Sequence, residues 1–154
     1  ARPTVLFSAV RRLPFELIPF VLSMFVLVLG MNYSGLTERL AAVLVTDRPI
    51  LSVGVSSFFA ANLINNIPMS VLFSSVLETV TDPEVYRQGV FAAVVGSNIG
   101  AYLTPVGALA GIMWSSILRR FGIRFSFRRF LLYGVAVAIP TLFAALAGLW
   151  IMLG

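Results

Sequence analysis

Cysteine and histidine are missing altogether from the 154 residues. Without cysteine there is no disulfide, no thiolate metal site and no thiol redox chemistry. Without histidine no imidazole is available for acid–base work near neutral pH. Charge is scarce too: 11% of residues are charged, against about a quarter in an ordinary soluble domain. What is present is apolar, with 59% hydrophobic residues and a mean hydropathy of +0.99. That balance excludes a soluble domain and a disordered tail, and leaves an integral membrane protein. The basic residues, all arginine, outnumber the acids 11 to 6, for a formal net charge of +5. They lie between long apolar runs, where arginine reads as a topology signal rather than a nucleic-acid surface.

Four intervals carry no charge: 17–37, 49–77, 88–118 and 130–154. The first and last each suit one crossing helix, since a span needs about 20 residues. Pro19 and Pro140 are candidate bends in them, because each removes a backbone hydrogen bond. The two middle intervals, of 29 and 31 residues, are too long for simple spans. As one straight rod the longer would run about 46 Å, against a hydrocarbon core of about 30 Å. Both also hold polar and helix-breaking residues near their centres. One has Asn62, Asn65, Asn66 and Pro68; the other has Gly96, Ser97, Asn98 and Gly100, then Thr104, Pro105 and Gly107.

Arginine bias sets the topology. The loop 119–129 holds five arginines and no acid, and the segment before the first span holds three arginines and one acid. Both belong on the cytoplasmic side. Four single crossings would put them on opposite sides; a hairpin at 49–77 that enters and leaves on one face puts both inside. The expected fold is therefore an all-α integral membrane unit, half of a transporter, with one re-entrant helical hairpin and one broken transmembrane helix. It forms a single membrane domain over 1–154: a span and an interfacial helix in 1–48, the hairpin in 49–80, the broken helix in 81–121 and the last span in 126–153. Asp82 and Ser126 are the expected N-caps, with Pro83 as first helical residue. An amphipathic stretch near 34–46 turns Leu36, Leu40, Val43 and Leu44 one way and Thr37, Glu38 and Arg39 the other, as a helix lying in the outer interface would. The chain opens on Ala1 rather than Met, and its length suits the C-terminal half of a larger protein.

Non-helical backbone at membrane depth exposes N–H and C=O groups that lipid does not satisfy, so it persists where protein or a water-filled cavity does. Asn66-Ile67-Pro68 predicts an N-cap and a first turn containing proline; Thr104-Pro105 repeats the pattern. Each would aim a helix N-terminus, with its free N–H donors and partial positive charge, into the interior. Paired interruptions of this kind place substrate at the bilayer midplane in secondary transporters. One Asn or one Pro alone would read as helix packing; two cap-plus-proline breaks in over-long intervals read as a binding site. Its candidate residues are Asn65, Asn66, Pro68, Ser97, Asn98, Gly100, Thr104, Pro105 and Gly107.

At these residues the chain resembles a known group. Asn65-Asn66-Ile67-Pro68 resembles the hairpin tip of the arsenical pump membrane protein family. Gly96-Ser97-Asn98-Ile99-Gly100, followed by Thr104-Pro105-Val106-Gly107-Ala108-Leu109-Ala110, resembles its second interrupted helix. The likeness runs from about Leu13 to Leu153. That family sits in the ion transporter superfamily with citrate and dicarboxylate carriers and NhaD-type sodium/proton antiporters. The resemblance implies an inverted-repeat fold in the inner (plasma) membrane, multi-pass, with elevator-like alternating access. It implies that the 65–68 tip and the 98–107 break form half of a substrate site. It also implies a missing N-terminal half, and leaves open a homodimer and a soluble ATPase partner.

No carboxylate, lysine or histidine falls inside the four apolar intervals, so this half supplies no proton carrier of its own. No cofactor is expected; the coupling ion would be H+ or Na+. Without thiolates, arsenite would be recognised as a neutral trihydroxy species through hydrogen bonds, by groups that suit a small anion equally well. Three functions follow: efflux of arsenite, antimonite or a related small anion; sodium/proton antiport or dicarboxylate transport on the same fold; or a structural membrane subunit without a transport cycle. An intramembrane enzyme is disfavoured, for want of a nucleophile–base pair.

Overall fold

A computed structural model describes residue 15 and residues 17–105, 107–123 and 126–154. The expectations for the leading basic segment, with Arg2, Arg11, Arg12 and Glu16, and those for Val106 and Arg124 lie outside the described residues. Seven helices are described: α1 (Leu17–Tyr33), α2 (Leu36–Leu44), α3 (Pro49–Ile64), α4 (Asn66–Leu77), α5 (Pro83–Gly100), α6 (Leu109–Arg120) and α7 (Phe127–Leu153).

Local chemistry sets most of the boundaries. Pro49 and Pro83 stand at the first helical positions of α3 and α5, where a missing N–H costs nothing. The Asp82 carboxylate accepts from the Glu84 and Val85 N–H groups at 2.8 and 3.2 Å, and the Ser126 hydroxyl accepts from the Arg129 N–H. Both are the caps that the sequence predicts. Gly35 and Gly122, at φ 71° and 75°, make the turns after α1 and α6. Pro19 falls in the first turn of α1, so it breaks no helical bond there. Pro140 lies inside α7, which continues through it.

α7, with 27 residues, is the one helix among those described that is long and apolar enough to cross a membrane by itself. Its length of about 40 Å exceeds a core of about 30 Å, enough to span with tilt. Its large apolar residues face outward at many positions, Leu132, Val137, Phe143 and Ile151 among them.

α5 is the centre of the packing: α3, α4 and α7 all lie against it. The tightest contact is between α3 and α5. A Cβ on Gly96 would collide with the Gly54 carbonyl and the Ser57 hydroxyl, and one on Gly100 with the Phe58 carbonyl. In lipid, where hydrophobic burial gives helices little reason to associate, such backbone-to-backbone approach supplies dispersion contact instead. Val53, Phe58, Met69, Leu77, Ala92 and Leu142 fill the core around it. Hydroxyls within the helices bond back one turn, as Ser56 does to Ser52 and Thr141 to Val137. No buried side-chain nitrogen or oxygen among the described residues lacks a partner.

The short helix lies where the amphipathic stretch is expected, with Glu38 and Arg39 exposed and Leu40 and Leu44 half-buried; Thr37 departs from its expected side. Thr37 is fully buried, with its hydroxyl donating to Asn32 Oδ1 at 3.0 Å and in contact with Glu38 Oε2 at 3.1 Å. Val43, by contrast, is 72% exposed. α2 packs on α1, α3 and α4, so its neighbours, rather than an apolar-versus-polar division alone, decide which face is covered.

Candidate functional site

The two Asn/Pro stretches are interruptions in the helical path, and they touch. Asn65 is the sole residue between α3 and α4. It holds φ 71° and ψ 153°, a region that glycine occupies freely and other residues rarely. The residue is buried, and its side-chain oxygen accepts from the Ile67 N–H at 3.4 Å. Pro68 is buried in the first turn of α4. The second interruption runs over 101–108, between α5 and α6.

Three hydrogen bonds join the interruptions. The Asn66 N–H donates to the Gly107 carbonyl at 3.2 Å. The Asn62 amide donates to the Gly100 carbonyl at 2.9 Å. The Thr104 hydroxyl donates to Asn62 Oδ1 at 2.8 Å. The structure thus brings Asn66, Gly100, Thr104 and Gly107 to one place, with Asn65 and Pro68 beside them. Ser97 is buried near the end of α5, its hydroxyl on the Val94 carbonyl at 3.1 Å. Pro105 borders a groove of about 440 Å³ with Trp114, Ser115, Leu118 and Arg119. Asn98 is exposed instead, with its amide bonded to the Val94 carbonyl at 2.8 Å.

The cap assignments need correction. Asn65, not Asn66, caps α4, because its positive φ ends α3 one residue earlier than the sequence pattern suggests. The expected free donors at that helix start are occupied. Asn66 N–H goes to Gly107, Ile67 N–H to Asn65 Oδ1, Pro68 has none, and Met69 N–H goes to the Asn65 carbonyl. α6 does not begin at Thr104-Pro105. The Thr104 hydroxyl is engaged by Asn62, and a residue before proline is pushed away from helical geometry. The cap of α6 is Ala108, which makes no side-chain capping bond to the first turn.

Asn62 is the polar residue that the candidate set omits. It stands four positions before Asn66, but the break at Asn65 puts the two in different helices. Its place in the same polar cluster as Asn65 and Asn66, within an apolar interval, was the available signal. Trp114 packs edge-to-face on Phe130 with ring centroids 5.7 Å apart, joining α6 to α7; like Tyr133 and Trp150 it remains exposed.

Uncharged amide, hydroxyl and carbonyl groups gathered where apolar helices break, on a chain with this composition, define a helical membrane protein. The chain belongs to the arsenical pump membrane protein family, whose sequence profile matches residues 3–153. The arsenical pump membrane protein of Escherichia coli (strain K12) is 29% identical over 149 residues, covering 92% of this chain and 35% of that protein. That of Yersinia enterocolitica is 28% identical over the same length, with the same coverage. A putative arsenical pump membrane protein of Bacillus subtilis (strain 168) is 30% identical over 117 residues, 70% of this chain and 26% of that protein. The chain spans about a third of the length of the first two relatives, 35% in each case. No solved structure gives a significant match.

Proposed function

We propose that this chain is the C-terminal half of a secondary transporter that exports arsenite, antimonite or a related small anion by alternating access. In this reading α3 and α4 form a re-entrant hairpin entering from outside, and α5 and α6 are the halves of one broken transmembrane helix. α1 and α7 cross the bilayer, making the protein multi-pass in the inner membrane. The remainder of the protein supplies an inverted counterpart and the other half of the site.

The observation that carries the proposal is the contact between the two interruptions through Asn62, Thr104, Gly100, Asn66 and Gly107. It gathers neutral hydrogen-bonding groups inside apolar helices, as a midplane binding site requires. A trihydroxy solute both donates and accepts, so it matches a surface of carbonyls, amides and hydroxyls without any charge. Asn65, Asn66, Ser97 and Thr104 supply such groups, Gly100 and Gly107 keep the backbones close, and Pro68 and Pro105 hold the breaks open. The uncapped start of α6 offers N–H donors to the solute oxygens. Asn98, exposed on α5, is available to the rest of the protein. The coupling ion, H+ or Na+, binds to groups outside these apolar segments or to their carbonyls.

The test is solute uptake into everted membrane vesicles containing the full-length protein, with arsenite, a dicarboxylate and Na+ supplied separately. Arsenite is expected to accumulate. Asn66→Ala is expected to raise its KM by about fivefold to tenfold, the size of one neutral hydrogen bond. Absence of arsenite uptake, or uptake unchanged in both N66A and N65A, overturns the reading.

A further inference from the structure

Asn62 sits in α3, one turn before the Asn65 interruption, and its side chain is engaged on three sides. The amide nitrogen donates to the Phe58 carbonyl at 3.0 Å and to the Gly100 carbonyl at 2.9 Å. The amide oxygen accepts the Thr104 hydroxyl at 2.8 Å. Its orientation follows from chemistry: carbonyls only accept, so the NH2 end must face Phe58 and Gly100. Both donors are then used. The oxygen is hemmed in further by Gly107, where a Cβ would stand 2.8 Å from it.

The partners are not a random sample of neighbours. Gly100 is the last residue of α5, and its carbonyl accepts the Leu103 N–H at 2.9 Å as well as the Asn62 amide. Thr104 lies in the irregular stretch beyond it, and Asn66 opens α4 on the other side. An asparagine that merely glued two helices would bond along their regular lengths. This one bonds at the near edge and in the middle of the second interruption from the lip of the first.

We infer that Asn62 is a positioning residue: a neutral clamp that fixes the 65–68 tip to the 101–108 break, so that the two rearrange as one unit. Both of its donors and one of the two acceptor sites on its oxygen are already used within the protein, so its main effect on the solute is indirect. It acts through Thr104 and the Gly100 carbonyl. Only the kinetic arm of its test rests on the proposed transport activity.

The first arm is amide hydrogen exchange on the full-length protein, followed on peptides covering 58–70 and 98–110. Asn62→Leu is expected to raise exchange in both peptides together. Thr104→Val, which breaks the same bond from the far side, is expected to do so too, whereas Thr104→Ser, which keeps the hydroxyl, leaves exchange unchanged. The N62L/T104V double variant is expected to exchange no faster than N62L, as groups sharing one interaction are non-additive. If N62L affects only the 58–70 peptide, or if T104S loosens the break as much as T104V, the clamp is refuted. T104V and T104S decide the matter even if N62L does not fold. In the second arm, N62L should raise the KM for arsenite by about fivefold to tenfold while the maximal rate changes by less than about twofold. A fall in maximal rate with KM unchanged refutes positioning. If the unsubstituted protein moves no arsenite, the transport reading fails, and exchange alone decides the clamp.

Discussion

Asn65 combines a backbone that favours glycine with a side chain that caps α4, at φ 71° and ψ 153°. A non-glycine residue held there stores of the order of 1–3 kcal/mol, which the surrounding packing must hold in place. Asn65→Gly and Asn65→Ala both remove the side chain, so their difference isolates the backbone. N65G is expected to be more stable than N65A by about 1 kcal/mol or more, read as a higher melting temperature in detergent. Equal stabilities would mean that the φ is not positive in the folded protein. That there is an interruption near Asn65 was legible in the sequence, because Pro68 and the clustered asparagines announce it. Which asparagine is the cap was not, since that depends on one dihedral angle. The partner of Thr104 was not legible either: Asn62 lies 42 positions away, beyond any local pattern.

At the scale of elements, the helix starts at Asp82 and Ser126 follow from capping chemistry that the sequence spells out, and the structure has them. The face that each helix buries is less legible. A membrane helix is apolar all round, so periodicity does not mark its core side; even in α2 the polar Thr37 is buried while the apolar Val43 is exposed. Small residues are the better guide. Gly96 meets the backbone of Gly54, while Gly148 in α7 has nothing within 4 Å of where a Cβ would stand. Gly96→Ala should therefore destabilise by about 1–3 kcal/mol through forced separation of α3 and α5. Gly148→Ala should be neutral or stabilising by up to about 1 kcal/mol, from helix propensity. Thermal unfolding of the two variants side by side checks this; an equal loss in both would remove the close contact from the account.

For the whole molecule, arginine placement and the lengths of the apolar intervals define a direction across the bilayer. In the proposed topology α5 would begin outside, just after Thr81, and α6 would end inside, at Arg120. The chain has no cysteine, so single introduced thiols report position cleanly. Thr81→Cys should react with a membrane-impermeant maleimide from outside the cell, and Arg120→Cys only after the membrane is opened. Labelling of both from one side would mean that α5 and α6 do not form one crossing.

Among the described residues, four bonds that tie distant parts of the chain together have a shared character. Asn62 to Gly100, Thr104 to Asn62, Asn66 to Gly107, and the Gln88 amide to the Leu153 carbonyl at 2.7 Å all join neutral partners. None gains or loses a proton at any pH a cell experiences, and none carries net charge for a voltage to pull on. These fastenings are therefore electrically silent, and neither a swing in acidity nor a voltage applied across them alters their charge.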